Sequence, residues 1–149
     1  MKFEYYYGKN EEDSRHSFFC YYENLCKEGF SFLKEAYCFQ FIETRMLGNL
    51  YIACEFKNTT TGILFDYDRR EGFHARVIEL KNNEIGFYDQ RWHYVDELLT
   101  ESTGPHQLLE EDSSSIESGY LETTLNYNIY ILKQYGDAVL RGDFTVFKK

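Results

Sequence analysis

Proline and long apolar runs are the features that this sequence most clearly lacks. It has one proline in 149 residues, and because it also has no long glycine- or serine-rich tract, a linker or a disordered half is not expected. No run of 18 apolar residues occurs, so we expect no membrane-spanning helix. Residues 1–8 lack the apolar run of a signal peptide, and we therefore expect a cytoplasmic protein.

The motifs of common enzyme classes are also missing. The sequence has no glycine-rich phosphate loop and no G-x-S-x-G segment. Its histidines and cysteines follow no spacing typical of metal ligands, and these residues are His16, His74, His93, His106, Cys20, Cys26, Cys38 and Cys54. The cysteines stand beside apolar or aromatic residues, so we expect them to be buried thiols. We expect no catalytic residue, no metal and no cofactor, and we predict that the protein is not an enzyme.

What the sequence does have is negative charge combined with aromatic side chains. The formal net charge is −9, from 25 acidic and 16 basic residues, and 19% of the residues are aromatic. This charge repels phosphate backbones and anionic membranes, so we expect no direct contact with nucleic acid or membrane. It favours fast association with a basic protein partner, in which aromatic residues would supply much of the binding energy. The length predicts a single domain over residues 1–149.

Helical periodicity occurs towards both ends of the chain. Apolar residues at helical spacing predict helices over residues 14–28, 90–100 and 115–135. Residues 31–37 are also predicted to be helical, with the start of a strand as the alternative because of their Phe and Tyr content. The short helix over 90–100 depends on Trp92, Val95, Leu98 and Leu99. The apolar stripe of the long last helix consists of Leu121, Leu125, Ile129 and Leu132.

Strand signals fill the middle of the chain. Alternating or β-favouring residues predict strands over 39–43, 50–56, 63–68 and 73–80. The turns between them are short, and a parallel crossover needs a dozen or more residues, so the strands are predicted to be antiparallel. We therefore predict an α+β fold, with a central antiparallel sheet of about four strands and with an N-terminal helix and C-terminal helices packed on it.

Two segments and one hairpin are candidates for contacting a protein partner. Residues 88–94 combine aromatic, arginine and acidic side chains, which are common in binding hot spots, although Trp92 and Tyr94 could instead belong to the core. The acidic residues 110–112 precede the long helix, where they could meet a basic partner or favour the helix N-terminus. The predicted contact residues are Asp66, Asp68, Glu71, Tyr88, Asp89, Trp92, Tyr94, Glu110, Glu111 and Asp112.

A metal-dependent hydrolase is a different interpretation of Asp66, Asp68 and Glu79. An acidic residue on one strand and a Glu-x-Lys segment on the next resemble the metal site of a nuclease. The predicted hairpin places Asp66 opposite Ala75, so that Glu79 lies about 13 Å further along the strand. One metal ion cannot bridge that separation, and we expect both aspartates to lie at an exposed hairpin end.

Five short segments carry a resemblance to known proteins. They are Phe30–Leu33, Thr60–Ile63, Asp66–Glu71, Leu132–Asp137 and Leu140–Phe144. In this order they resemble small bacterial proteins, some of which look like immunity proteins of polymorphic-toxin or contact-dependent growth inhibition systems. The resemblance covers residues 30–147 and includes no catalytic signature.

The resemblance implies a single-domain inhibitor that binds a cognate toxin, such as a nuclease, without chemistry of its own. An acidic face suits that role, because it can cover the basic groove that a nuclease uses for nucleic acid. The alternative is an intracellular adaptor or regulatory domain without a toxin partner. The sequence leaves the identity of the toxin and the oligomeric state open.

Overall fold

The computed structural model describes residues 11–47, 51–80, 91–99 and 120–147. The helices are α1 (Glu11–Gly29), α2 (Ser31–Tyr37), α3 (Tyr120–Tyr135) and α4 (Asp137–Leu140), followed by a 3-10 helix at Thr145–Phe147. The strands are β1 (Gln40–Leu47), β2 (Tyr51–Lys57), β3 (Thr61–Asp68), β4 (Gly72–Glu79) and β5 (Trp92–Tyr94). They form one antiparallel sheet in the order β1-β2-β3-β4-β5. The predicted α+β class is confirmed.

The sheet has five strands rather than about four, because residues 92–94 form a strand. The spacing of Trp92 and Val95 predicted a helix over 90–100, and this is wrong for its first half. Trp, His and Tyr favour extended backbone, and bonds from Glu79 N to the Arg91 carbonyl and from Val95 N to the Ala75 carbonyl hold β5 beside β4. Among the described residues 91–99, only 97–99 are helical.

One face of the sheet packs against the helices and forms the main core. The predicted stripe of α3 is confirmed, since Leu121, Leu125, Ile129 and Leu132 are all buried there. Aromatic rings fill the centre: the Tyr22 ring of α1 stacks on those of Phe65 and Phe73, at centroid distances of 5.7 and 6.4 Å. The Tyr22 hydroxyl donates to the Phe65 carbonyl at 2.8 Å, so its polar end is satisfied inside the core.

The turn between β2 and β3 is anchored by Asn58. Its amide Nδ2 donates to the carbonyls of Tyr37 and Leu140, at 3.0 and 3.1 Å. Its Oδ1 accepts from the backbone N–H groups of Thr60 and Thr61. This side chain therefore ties one end of the sheet to the end of α2 and to α4.

Several element boundaries and one register differ from the predictions. Helix α1 begins at Glu11 instead of residue 14, and β1 continues to Leu47 instead of ending at residue 43. The predicted first turn of the long helix, over 115–119, lies outside the described residues. In the β3–β4 hairpin Asp66 faces His74 and not Ala75. A shift of one residue exchanges the two faces of a strand, so His74 joins the side of the sheet that carries Asp66.

The cysteine prediction is correct for two residues and wrong for two. Cys26 and Cys54 are buried in the main core, where burial raises the pKa of the Cys26 thiol. Cys20 and Cys38 are exposed. Cys20 lies on the outer side of α1, and Cys38 ends α2 in the left-handed conformation with φ of 60°.

Candidate functional site

The face of the sheet away from the helices, called here the polar face, carries ionisable side chains among apolar ones. Strand alternation and register bring Ala53, Leu64 and Ile78 to this face, and all three are buried. The same alternation brings charged residues to it, namely Arg45, Glu55, Asp66 and Arg76. Burying a charge costs free energy unless the charge is paired. The ion pairs formed by these residues therefore determine whether the polar face has free charges.

Asp66 lies at the centre of the polar face with only 2% of its surface exposed. Its Oδ2 accepts a hydrogen bond from the Tyr51 hydroxyl at 3.0 Å and lies 3.2 Å from Arg76 Nη1. Its Oδ1 and the Nε of Arg76 have no hydrogen-bond partner among the described residues. Burial raises the pKa of the Asp66 carboxyl, and Arg76 and the Tyr51 hydroxyl only partly oppose this shift.

A second ion pair lies nearer the β1 edge of the same face. Arg45 Nη2 contacts the buried carboxylate of Glu55, and Arg45 Nε lies 3.3 Å from Glu43 Oε1. Burial raises the pKa of Glu55, and the charge of Arg45 lowers it in part. Both pairs join neighbouring strands, so each fixes the relative position of two strands as well as compensating a charge.

Arg76 connects the ion pair to a group of aromatic rings at β5. Its guanidinium lies 4.6 Å from the ring centroid of Trp92 and 5.6 Å from that of Tyr94, within cation–π range. The Trp92 and Tyr94 rings meet edge to face at 5.0 Å, and the His74 ring lies 5.3 Å from Tyr94. Trp92 keeps 39% of its surface exposed. We call His74, Arg76, Trp92 and Tyr94 the aromatic edge.

Strand β5, which carries Trp92 and Tyr94 of the aromatic edge, is short, but several contacts hold it in place. The Tyr94 N–H donates to Glu97 Oε2 at 2.6 Å. On the other side of β5 the His93 ring stacks on Phe147, with centroids 3.9 Å apart and planes 5° from parallel. His93 Nδ1 also lies 3.4 Å from Glu97 Oε1. These contacts hold β5, and with it Trp92 and Tyr94, in place beside β4.

No family model, curated protein or solved structure matches this chain. Its function therefore has to be inferred from the chemistry of its own residues. Within the described parts of the chain, none of the helices has the length and apolar character needed to cross a membrane.

The hairpin that was predicted to contact a partner exposes fewer acidic side chains than expected from its sequence. Asp66 is buried, so the expectation that it lies at an exposed hairpin end is wrong, because Arg76 and Tyr51 hold it inside the polar face. Asp68 is half-buried, and its Oδ1 accepts from the Arg70 N–H at 2.7 Å. Glu71 is exposed, but so are Arg69 and Arg70 beside it, and the tip carries no excess of negative charge.

Of the other predicted contact residues, the structure brings Trp92 and Tyr94 together. Their alternative assignment to the core fails for Trp92, which is exposed, while Tyr94 is half-buried. Sequence reasoning did not single out Arg76 or His74, although their spacing of two on a strand places them on one face. Five predicted residues lie outside the described part of the chain and stay predictions: Tyr88, Asp89, Glu110, Glu111 and Asp112.

The acidic residues of the hydrolase interpretation are not brought together. Asp66 faces His74, whereas Glu79 faces Thr61 at the other end of the hairpin. The five residue steps along β4 from His74 to Glu79 correspond to about 16 Å. Residues 11–47, 51–80, 91–99 and 120–147 contain no group of three His, Cys, Asp or Glu side chains placed to hold a metal ion.

Proposed function

We propose that this protein is a cytoplasmic immunity protein that neutralises a cognate bacterial toxin by stoichiometric binding, without a cofactor. The observation that carries the proposal is the aromatic edge, where a tryptophan exposed over 39% of its surface is held beside Arg76 and Tyr94. Tryptophan, tyrosine and arginine are the residues most enriched in binding hot spots.

The rigidity of the aromatic edge favours binding over a merely exposed ring. The Trp92 ring already contacts Arg76 and Tyr94, and Glu97 binds the backbone of Tyr94. Each side chain that is ordered beforehand avoids about 0.5–1.5 kcal/mol of entropy loss on binding. The aromatic edge can therefore receive an apolar or aromatic group of a partner with little rearrangement.

Charge and resemblance indicate the kind of partner. The net charge of −9 attracts a basic protein over several ångströms and speeds its approach. The charges of the polar face are paired internally, so this attraction depends on the other acidic residues of the chain. A nuclease toxin with a basic groove fits this field, and the five segments that resemble immunity proteins support a toxin as partner.

Co-expression with the toxin encoded beside its gene tests the proposal. We expect wild-type protein to restore growth, and purified Trp92→Ala to bind the toxin at least 30-fold more weakly, because a hot-spot residue contributes about 2 kcal/mol or more. Calorimetric titration measures the affinity. Tyr130→Ala is the matched control, since Tyr130 is an exposed aromatic residue on α3, away from β5, and it should change binding less than twofold.

Two results would contradict this assignment. If the neighbouring toxin is unaffected by the wild-type chain, the adaptor or regulatory function replaces immunity. If growth is restored but Trp92→Ala and Tyr130→Ala bind equally well, the protein is an inhibitor that uses another surface. Circular dichroism of both variants shows whether the fold is retained.

A further inference from the structure

The β1 edge of the sheet is much longer than the β5 edge, which has three residues. Strand β1 has eight residues, Gln40–Leu47, and it pairs with β2 on its inner side. Among the described residues, no strand pairs with its outer side. A long edge of unpaired N–H and C=O groups is a template for pairing with a further strand, which proteins usually block with charges, proline or a covering segment.

The side chains of β1 give this edge an alternating pattern. Arg45 faces Ala53, so Glu43, Arg45 and Leu47 belong to the polar face, while Thr44 faces Cys54 on the helix-covered side. The side chains of Glu43 and Arg45 are 51% and 44% exposed, and Leu47 is 65% exposed. The edge thus ends in a large apolar residue and carries one charge of each sign, two positions apart.

We propose that β1 pairs with β1 of a second copy of this chain, in antiparallel orientation, to join two sheets into one of ten strands. A two-fold axis normal to the sheet relates the strands of such a pair, so each residue stays on its own face. In an antiparallel pair, two directly opposed side chains lie on the same face of the sheet. The possible registers of this pair therefore differ from one another in steps of two residues.

Charge selects one of these registers. When Thr44 faces Thr44 of the second copy, Glu43 faces Arg45 of the second copy, and the symmetry repeats this attraction. A shift of two residues in either direction places Glu43 opposite Glu43 or Arg45 opposite Arg45, and like charges directly opposite are destabilising. Within one copy, Arg45 contacts Glu55 and its Nε lies 3.3 Å from Glu43 Oε1. Its guanidinium has five N–H donors, so Arg45 can keep Glu55 and exchange its own Glu43 for Glu43 of the second copy.

The main test is sedimentation of the full chain over a range of concentrations. We expect a dimer that Glu43→Arg weakens about tenfold or more, because two attractive cross-strand pairs become two repulsive ones. Arg45 keeps Glu55 in this variant, and circular dichroism checks that the fold is retained. The matched control is Glu35→Arg, which makes the same charge change at an exposed position of α2 and should leave dimerisation unchanged.

A cross-linking variant tests the register itself. Thr44→Cys should give a disulfide-linked dimer on oxidation, in a chain whose exposed Cys20 and Cys38 are replaced by serine. Cys54 is replaced by alanine in the same chain, because it lies directly opposite Thr44 on β2 and would otherwise form a disulfide within one copy. Directly opposed residues of an antiparallel pair have Cα atoms about 4.5–5.5 Å apart, within the range of a disulfide. A chain that stays monomeric at millimolar concentration would overturn the proposal, as would equal effects of Glu43→Arg and Glu35→Arg or a lack of cross-linking at position 44.

Discussion

The two faces of the sheet are both buried at their centres, but different interactions stabilise them. On the helix-covered face, Phe65 packs among the rings of Tyr22, Phe30 and Phe73. On the polar face, the preceding and following residues of the same strand, Leu64 and Asp66, are buried beside ion pairs. One strand therefore presents apolar packing on one side and compensated charge on the other.

This difference predicts that the free energy of unfolding will respond differently to substitutions on the two faces. On an apolar face, the free energy of unfolding falls roughly in proportion to the number of side-chain atoms removed, whichever residue of the cluster is changed. A buried ion pair depends on both members, since removing one leaves an uncompensated charge, whereas replacing both is often neutral. The helix-covered face should therefore be sensitive to volume, and the polar face to pairing.

The largest effect is expected for Phe65→Ala on the helix-covered face. The ring is fully buried and contacts three other aromatic rings, so the free energy of unfolding should fall by about 3–5 kcal/mol in urea titrations. Phe41→Ala is the matched control, because the Phe41 ring is half-buried on the edge strand, and it should cost clearly less. Equal losses for the two variants would show that the centre of this face is not closely packed.

The second effect concerns the pairing on the polar face. Arg76→Met removes the cation beside Asp66 and should reduce the free energy of unfolding at pH 7 by about 2–3 kcal/mol. Adding Asp66→Asn should recover much of this loss, and a double-mutant cycle in urea measures the coupling.

Arg141→Met is the control for this pairing. The Arg141–Asp137 pair is exposed on both sides, and such pairs contribute at most about 1 kcal/mol. If Arg76→Met costs no more than Arg141→Met, burial of the Asp66–Arg76 pair has no energetic consequence.

The sequence allows prediction of the helix-covered face much better than of the polar face. The spacing of Leu121, Leu125 and Ile129 predicts the buried side of α3, because apolar periodicity directly reflects burial. The polar face follows no such pattern. Its acidic residues are buried only because arginines from neighbouring strands reach them, and those pairings depend on a register that the sequence fixes only to within a residue.

The aromatic edge was predicted in part for a related reason. Residue type indicated Trp92 and Tyr94 as contact residues, but helical spacing assigned residues 90–100 to a helix. A three-residue strand is too short to show a period of two, and its extended conformation depends on hydrogen bonds to β4. The contribution of Arg76 to this edge also depends on that pairing, which local sequence does not reveal.

The smallest effect is a pH dependence that distinguishes the two kinds of carboxylate. Burial raises the pKa of Asp66 in the folded protein above its ordinary value of 3.8. The native state then binds this proton more tightly than the unfolded chain, so the proton favours folding below about pH 3.8. That contribution is lost as the pH rises through the raised pKa. The unfolding free energy of wild type relative to Asp66→Asn should therefore be highest at low pH and decrease towards pH 7.

Asp137→Asn provides the control with the opposite sign. Hydrogen bonds from Tyr37 and Arg141 lower the pKa of the exposed Asp137 carboxyl, so its contribution is present above its ordinary pKa and is lost as the pH falls through the lowered one. Urea titrations from pH 3 to pH 7 should thus give opposite trends for the two variants relative to wild type. Parallel trends would mean that Arg76 and the Tyr51 hydroxyl outweigh burial at Asp66, and that the polar face stabilises its charges as effectively as the solvent-exposed surface does.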